Sequence, residues 1–236
     1  MIGLIGLSSL IPLKVHSTEP VKGDKIGKVE IGLDILGSWA LATGLHELGH
    51  YTAQTAMDHN PKFNGPSYDN SDNSLTFASV EHDYGSRDQE LFGSLAGVAS
   101  TRIDYEILNQ LIKKDKIPER IKPFASTLAL CLRLDLPRYL TNDSVRYFIR
   151  NEDHVNDVTN VVDKLFNSTK PSPKKTVTYA GLLALEGLDL YFDRKEIKNH
   201  FNQARGKEVD FNKKDNLDFG LIYDGEKLGL SINYKF

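Results

Sequence analysis

Apolar residues in the first half of the chain recur at helical spacing. From Val29 to Met57 they return every three or four positions, which predicts one long helix: Ile31, Ile35, Trp39, Ala42, Leu45 and Leu48. A second long helix is predicted over 86–114, because Ser86 and Gln89 have the spacing of a capping box. Prolines at 118 and 123 separate it from a third helix at about 124–140, and further helices are predicted near 143–150 and 155–167.

The period of the pattern changes at two places. Residues 58–74 are dense in Asn, Asp, Gly, Pro and Ser, which predicts a loop, and the alternation in Leu75–Val80 predicts a short strand. Near the C-terminus, alternate positions are apolar on both sides of Asp224–Gly225, from Leu217 to Tyr234, which predicts a β-hairpin. The expected fold class is therefore α+β and mainly α-helical, with a small C-terminal hairpin or sheet.

Polar segments divide the chain into predicted units. Residues 1–17 contain the apolar run 2–13 and end at a small-x-small site, which predicts a signal peptide cleaved after Ser17. The alternatives are a hydrophobic anchor or a start site assigned too early. A leader or linker follows at 18–28, then a helical domain at 29–167 and a linker at 168–175. Residues 176–236 form a C-terminal extension of helix and hairpin. The predicted location is exported: periplasmic, or associated with the cell envelope or membrane.

Composition narrows the range of functions. The formal net charge is −3 and the basic residues are interspersed with acidic ones, so no basic face for nucleic acid is predicted. The single cysteine, Cys131, lies in an apolar run and is expected to be buried. A chain with one cysteine can form neither an intramolecular disulfide nor a cysteine-based zinc site.

The segment HELGH at 46–50 carries the clearest chemical signal. On a helix, His46 and His50 project from one face about one turn apart, so both imidazoles can bind one Zn²⁺. Glu47 lies beside these ligands and can accept the proton of a water activated by the metal. Two histidines and a glutamate inside an apolar helix would be costly without a partner. The segment therefore predicts a zinc site with Glu47 as general base.

HELGHYTAQ in an apolar helix, followed by the small-residue segment FGSLAG, resembles the site-2-protease-like metallopeptidases. The resemblance implies that His46 and His50 are zinc ligands and that Glu47 is the catalytic base for peptide hydrolysis. The chain lacks that family's series of long membrane-spanning helices and its NPxxDG motif. The implied protein is a zincin-like relative with a helical HExxH domain.

A third metal ligand has several candidates. Glu90 and Asp104 stand at the ends of a stripe of small residues on the second helix, whose small members let that helix approach the HELGH helix closely. Asp153, His154 and Asp157 cluster at a predicted helix start. The resemblance favours a distant aspartate, and on that ground Asp157 is the predicted ligand.

The predicted function is a zinc-dependent metallopeptidase that acts on a peptide or protein substrate. Two alternatives stay open at this point. The first is a catalytically inactive scaffold that keeps the zinc, and the intact Glu47 argues against it. The second is a structural protein of the cell envelope in which HELGH is incidental, and the metal content would distinguish it.

Overall fold

The computed structural model describes residues 28–69, 74–81, 85–150, 157–211, 217–223 and 228–234. The fold is mainly α-helical with pairs of short antiparallel strands, which confirms the predicted α+β class. The predicted signal peptide, nearly all of the leader at 18–28 and the turn at Asp224–Gly225 lie outside the described residues. Among the described helices, none combines the length and the apolar character that crossing a membrane requires.

The helices and strands follow one another in this order: α1 Lys28–Ala56, β1 Lys62–Asn64, β2 Ser67–Asp69, β3 Ser74–Thr76, β4 Ser79–Glu81, α2 Arg87–Lys113, a 3₁₀ turn Glu119–Ile121, α3 Lys122–Arg133, α4 Asp135–Val145, a π-helical turn Arg146–Arg150, α5 Asp157–Phe166, α6 Pro173–Ala204, β5 Leu217–Tyr223 and β6 Leu228–Tyr234.

The two long N-terminal helices confirm the sequence prediction. The side chain of Ser86 caps α2 by accepting a hydrogen bond from the Gln89 backbone N–H at 3.3 Å. The third predicted helix, at 124–140, is wrong as a single helix, since α3 ends at Arg133 and α4 begins at Asp135. Pro137 explains the break, because it has no N–H to donate to the carbonyl of Arg133 and its ring would clash there.

The predicted loop at 58–74 is a second correction. Strands β1 and β2 lie within it and pair with β4 and β3, with Phe63 opposite Val80 and Tyr68 opposite Leu75. The predicted strand at Leu75–Val80 is divided between β3 and β4. Ring contacts hold this hairpin against α1: Phe63 packs on Tyr51 with ring centroids 6.4 Å apart, and Phe77 packs on Trp39 at 5.2 Å. The polar composition of this segment predicts a loop, but aromatic packing against α1 stabilises strands there.

The main core lies where α1, α2 and α3 meet. Its buried apolar members are Ala42, Tyr105, Ile112, Ala125, Leu128, Ala129 and Leu132. Helices α1 and α2 approach closely at Gly49, where an added Cβ would lie 2.6 Å from the carbonyl oxygen of Ala96. The Ser100 hydroxyl donates to the Leu45 carbonyl across the same contact at 3.2 Å. The close approach predicted from the stripe of small residues on α2 is confirmed.

Helix α6 runs unbroken from Pro173 to Ala204 and begins at the cap residue Ser172. Its Tyr179 is buried in a second core with Leu140 of α4 and with Val158 and Val162 of α5. The predicted division of the chain at 168–175 stays a prediction. The C-terminal hairpin is confirmed by the antiparallel pairing of β5 with β6.

Candidate metal centre

The two histidines of HELGH lie on the face of α1 that packs against the rest of the molecule. Both residues are buried, each with 2% of its surface exposed. Their Nε2 atoms are 3.1 Å apart, so the two imidazoles converge on one point. This convergence follows from the spacing of four residues on a helix, which places both side chains on one face.

Hydrogen bonds at Nδ1 fix which ring nitrogens face each other. His50 Nδ1 donates to the carbonyl oxygen of Gly93 in α2 at 2.7 Å, and His46 Nδ1 donates to Asp135 Oδ2 in α4 at 2.8 Å. A carbonyl or carboxylate oxygen can only accept, so each Nδ1 carries a hydrogen. In the neutral rings, both Nε2 atoms therefore direct a lone pair toward the point of convergence.

Asp157, at the start of α5, completes the cluster. Its Oδ2 lies 2.7 Å from His46 Nε2 and 3.1 Å from His50 Nε2. Three atoms with lone pairs at such distances repel one another unless a cation lies among them. Two ligands of a tetrahedral zinc ion, each about 2.0–2.1 Å from the metal, stand about 3.3 Å apart. The separations of 2.7–3.1 Å are close to this value, and two nitrogens with one carboxylate oxygen are a donor set that zinc accepts.

The pKa values of His46 and Asp157 show that the site favours positive charge in the metal-free protein. Burial lowers the pKa of His46, but hydrogen bonds to Asp135 and Asp157 outweigh it and raise the pKa to about 9. Burial raises the pKa of Asp157, but the hydrogen bonds from both histidines hold it well below its usual range. A metal ion would therefore have to compete with a proton for the nitrogen of His46.

Glu47 lies beside the cluster on the side of β4. Its carboxylate and the two histidine nitrogens all lie within 4.8 Å of one another. The Glu47 carboxylate also accepts a hydrogen bond from the backbone of Val80 in β4. Burial raises the pKa of Glu47, an effect that the neighbouring histidines oppose. The side chain is therefore within reach of the ligands through one bridging water.

Gly97 of α2 forms the wall of the cluster. A Cβ at this position would lie 2.4 Å from His50 Nε2 and 2.5 Å from His46 Nε2. Real Cβ atoms do not approach other atoms so closely, so the two rings could not keep their positions beside an alanine. The space next to both Nε2 atoms depends on the absence of a side chain at residue 97.

The other predicted third ligands are not brought to this point. Glu90 forms an ion pair with Lys164 of α5 at 2.6 Å. Asp104 lies seven residues beyond Gly97 on α2, about 10 Å along the helix axis. Asp153 and His154 lie outside the described residues. Of the candidates that the structure describes, Asp157 alone contacts the histidines.

Sequence reasoning missed the residues of α4 that contact His46. Asp135 bonds to the ring nitrogen, and Tyr139, one turn later, stacks on the ring with centroids 5.1 Å apart and planes at 26°. The sequence feature that could have identified Asp135 is its position directly after the apolar run Ser126–Leu134. A buried acid in such a run needs a partner, but the partner lies 89 positions away and no local pattern identifies it.

Comparison with known proteins assigns no family. The chain matches no protein-family model, no curated protein and no solved structure. The likeness to site-2-protease-like metallopeptidases rests on the HELGH and FGSLAG segments and stays a prediction.

Proposed function

We propose that this protein is a zinc-dependent metallopeptidase whose metal ligands are His46, His50 and Asp157. The observation that carries the proposal is the convergence of two Nε2 atoms and one carboxylate oxygen, with mutual distances of 2.7–3.1 Å, in a buried site. Asp135, Asp157 and Glu47 also give this region three carboxylates for two imidazoles, and an excess of negative charge remains when the pairing of Arg138 with Asp135 is included. A divalent cation would offset that excess of negative charge.

The donor set alone does not decide the metal, because two histidines and one carboxylate also bind Fe(II) in oxygenases. Glu47 favours hydrolysis. Its carboxylate lies within 4.8 Å of both ligand nitrogens and is not needed to orient either ring. A carboxylate in that place has the geometry of a general base acting through one water.

The proposed mechanism assigns each residue a separate task. His46, His50 and Asp157 would hold the ion, which would supply the Lewis acid that activates a water beside Glu47. Glu47 accepts the proton of the attacking water and transfers it to the amine that leaves the cleaved peptide bond.

The peptide as substrate and the export of the protein are further parts of the proposal. The HELGH segment, with its glutamate between two histidine ligands, is the pattern of metallopeptidases and supports a peptide bond as the target. The apolar run at 2–13 and the small-x-small site before Thr18 support export to the periplasm or cell envelope.

The test is hydrolysis of a quenched fluorescent peptide library by the zinc-loaded protein. Glu47→Gln should keep its zinc and lose at least about 100-fold in rate, because the proton acceptor is removed while the ligands stay. Glu30→Gln is the matched control, since Glu30 is an exposed acid of the same helix, and it should cleave like wild type. Equal rates for Glu47→Gln and wild type would contradict the mechanism. Zinc binding with no hydrolysis would favour the scaffold alternative.

A further inference from the structure

Asp135 is a buried carboxylate that the proposed mechanism does not use. The residue is 7% exposed, and its Oδ2 accepts from His46 Nδ1 at 2.8 Å. The same oxygen lies 3.3 Å from the Thr101 hydroxyl, which shares its hydrogen with the Val98 carbonyl at 2.9 Å. Its Oδ1 accepts from the Arg138 guanidinium at 3.1 Å. Groups from three helices thus satisfy this carboxylate, because Thr101 lies on α2, His46 on α1 and Arg138 on α4. The network fixes the direction of both oxygens.

Helix α4 holds the His46 ring in two ways. Asp135 accepts a hydrogen bond from Nδ1 at the edge of the ring, and Tyr139 stacks on the face of the ring with centroids 5.1 Å apart. The two residues are four positions apart, so both project from one side of α4. Rotation of the imidazole would break the hydrogen bond and the stacking together.

The two histidines differ in what holds their Nδ1 atoms. His50 donates to the neutral carbonyl of Gly93, whereas His46 donates to a carboxylate. A charged acceptor polarises the imidazole more strongly, which makes Nε2 a better electron donor to a metal. We propose that Asp135 is a positioning residue of the metal centre, which fixes the ring and tautomer of His46 and strengthens its bond to the ion. This inference rests on the proposed zinc site.

The test compares zinc affinity in Asp135→Asn and Asp143→Asn by competition with a chelator. Asp143 is the matched control: it is also a buried aspartate of α4, 2% exposed, but it bonds the Thr159 hydroxyl at 2.9 Å. Asp135→Asn should bind zinc about 10- to 100-fold more weakly, and Asp143→Asn should bind like wild type. In the cobalt-loaded proteins, the visible absorption band should change for Asp135→Asn only.

A second variant keeps the test decisive if Asp135→Asn does not fold. Thr101→Val removes the hydroxyl whose hydrogen Asp135 Oδ2 shares with the Val98 carbonyl, and should weaken zinc binding by about 3-fold, a smaller loss than that of Asp135→Asn. Unchanged affinity in the Asp135 variant, or in Thr101→Val where the first is unfolded, would overturn the positioning role. An equal loss in Asp143→Asn would overturn it too. Wild type that takes up no zinc would contradict the proposed function together with this inference, whereas the variant results bear on Asp135 alone.

Discussion

Among single residues, a glycine shapes the candidate centre as much as the histidines do. His46 and His50 supply the donor atoms, and the hydrogen bonds at Nδ1 turn their lone pairs toward each other. Gly97 leaves the space beside those lone pairs open, since a Cβ there would lie 2.4 Å and 2.5 Å from the two Nε2 atoms. A single methyl group at residue 97 would therefore block metal binding even though both histidines remained in the sequence.

Gly97→Ala should abolish zinc binding while all three ligands remain in the sequence. The methyl group would take the space beside the Nε2 atoms and push the imidazoles apart. Gly44→Ala is the control, because a Cβ at Gly44 would meet nothing within 4 Å, and it should keep zinc and gain about 0.5–1 kcal/mol of stability. The measurement is zinc per chain after dialysis. Full occupancy in Gly97→Ala would contradict the assigned position of the site.

The convergence of His46 and His50 could be predicted from sequence because it depends on local spacing alone. Two histidines four positions apart on a helix must share a face, whatever the rest of the chain does. The choice of Asp157 was not local, because residues alone left several acids open and only the resemblance favoured it. Asp135 was missed because its contact with His46 depends on how α4 packs against α1, which no spacing in the sequence encodes.

At the scale of elements, a buried cation of α3 holds α6 in place. Arg133, at the end of α3, is 2% exposed and donates to carboxylates of α6: Glu186 at 2.8 Å, Asp189 at 2.6 Å and Asp193 at 2.7 Å. These acids are three and four positions apart, so they follow one face of α6. Because Asp135 lies two residues after Arg133, the same contact fixes the start of the helix that orients His46.

Arg133→Ala should lower the free energy of unfolding by about 3 kcal/mol, because it removes the buried partner of Glu186, Asp189 and Asp193. Arg102→Ala is the comparison, since Arg102 binds Asp189 and Asp193 from a side chain that is 37% exposed. Its loss should cost less than about 1 kcal/mol. Urea unfolding of both variants provides the measurement. Similar losses for the two arginines would show that burial of Arg133 does not matter.

The elements that sequence reasoning misjudged have two different causes. The hairpin from β1 to β4 has a polar, turn-rich sequence, and its strands depend on aromatic contacts with α1 that become visible only in the fold. The break at Leu134 was available from sequence, since Pro137 excludes the continuous helix predicted there. The long helices α1 and α2 and the C-terminal hairpin were predictable because their periodic patterns are long.

At the scale of the whole molecule, one histidine links stability to pH. His200 is fully buried, with Nε2 at 3.1 Å from Asn109 Oδ1 and Nδ1 at 3.4 Å from Ser126 Oγ. Burial lowers its pKa from 6.5 to about 4, although Glu196 opposes the shift and Lys113 adds to it. Between these values the unfolded chain binds a proton that the folded protein rejects, so stability falls as the pH decreases from 6.5 to 4.

This contribution should amount to about 3 kcal/mol over that range of pH. His200→Gln removes the titrating group, so the free energy of unfolding should vary with pH by that much less than in wild type. The variant should also be less stable at neutral pH. The measurement is urea unfolding at a series of pH values between 7 and 4. Parallel curves for wild type and His200→Gln would show that His200 does not account for the loss.

The central claim, a zinc ion held by His46, His50 and Asp157, is tested most directly by the zinc content of purified protein. Wild type, Asp157→Ala and Asp104→Ala are analysed for metal after exhaustive dialysis. We predict about one zinc per chain in wild type and in Asp104→Ala, and none in Asp157→Ala, because Asp157 is the acid among the described candidates that contacts both histidines. Wild type without zinc, or Asp157→Ala with a full complement, would contradict the site described here.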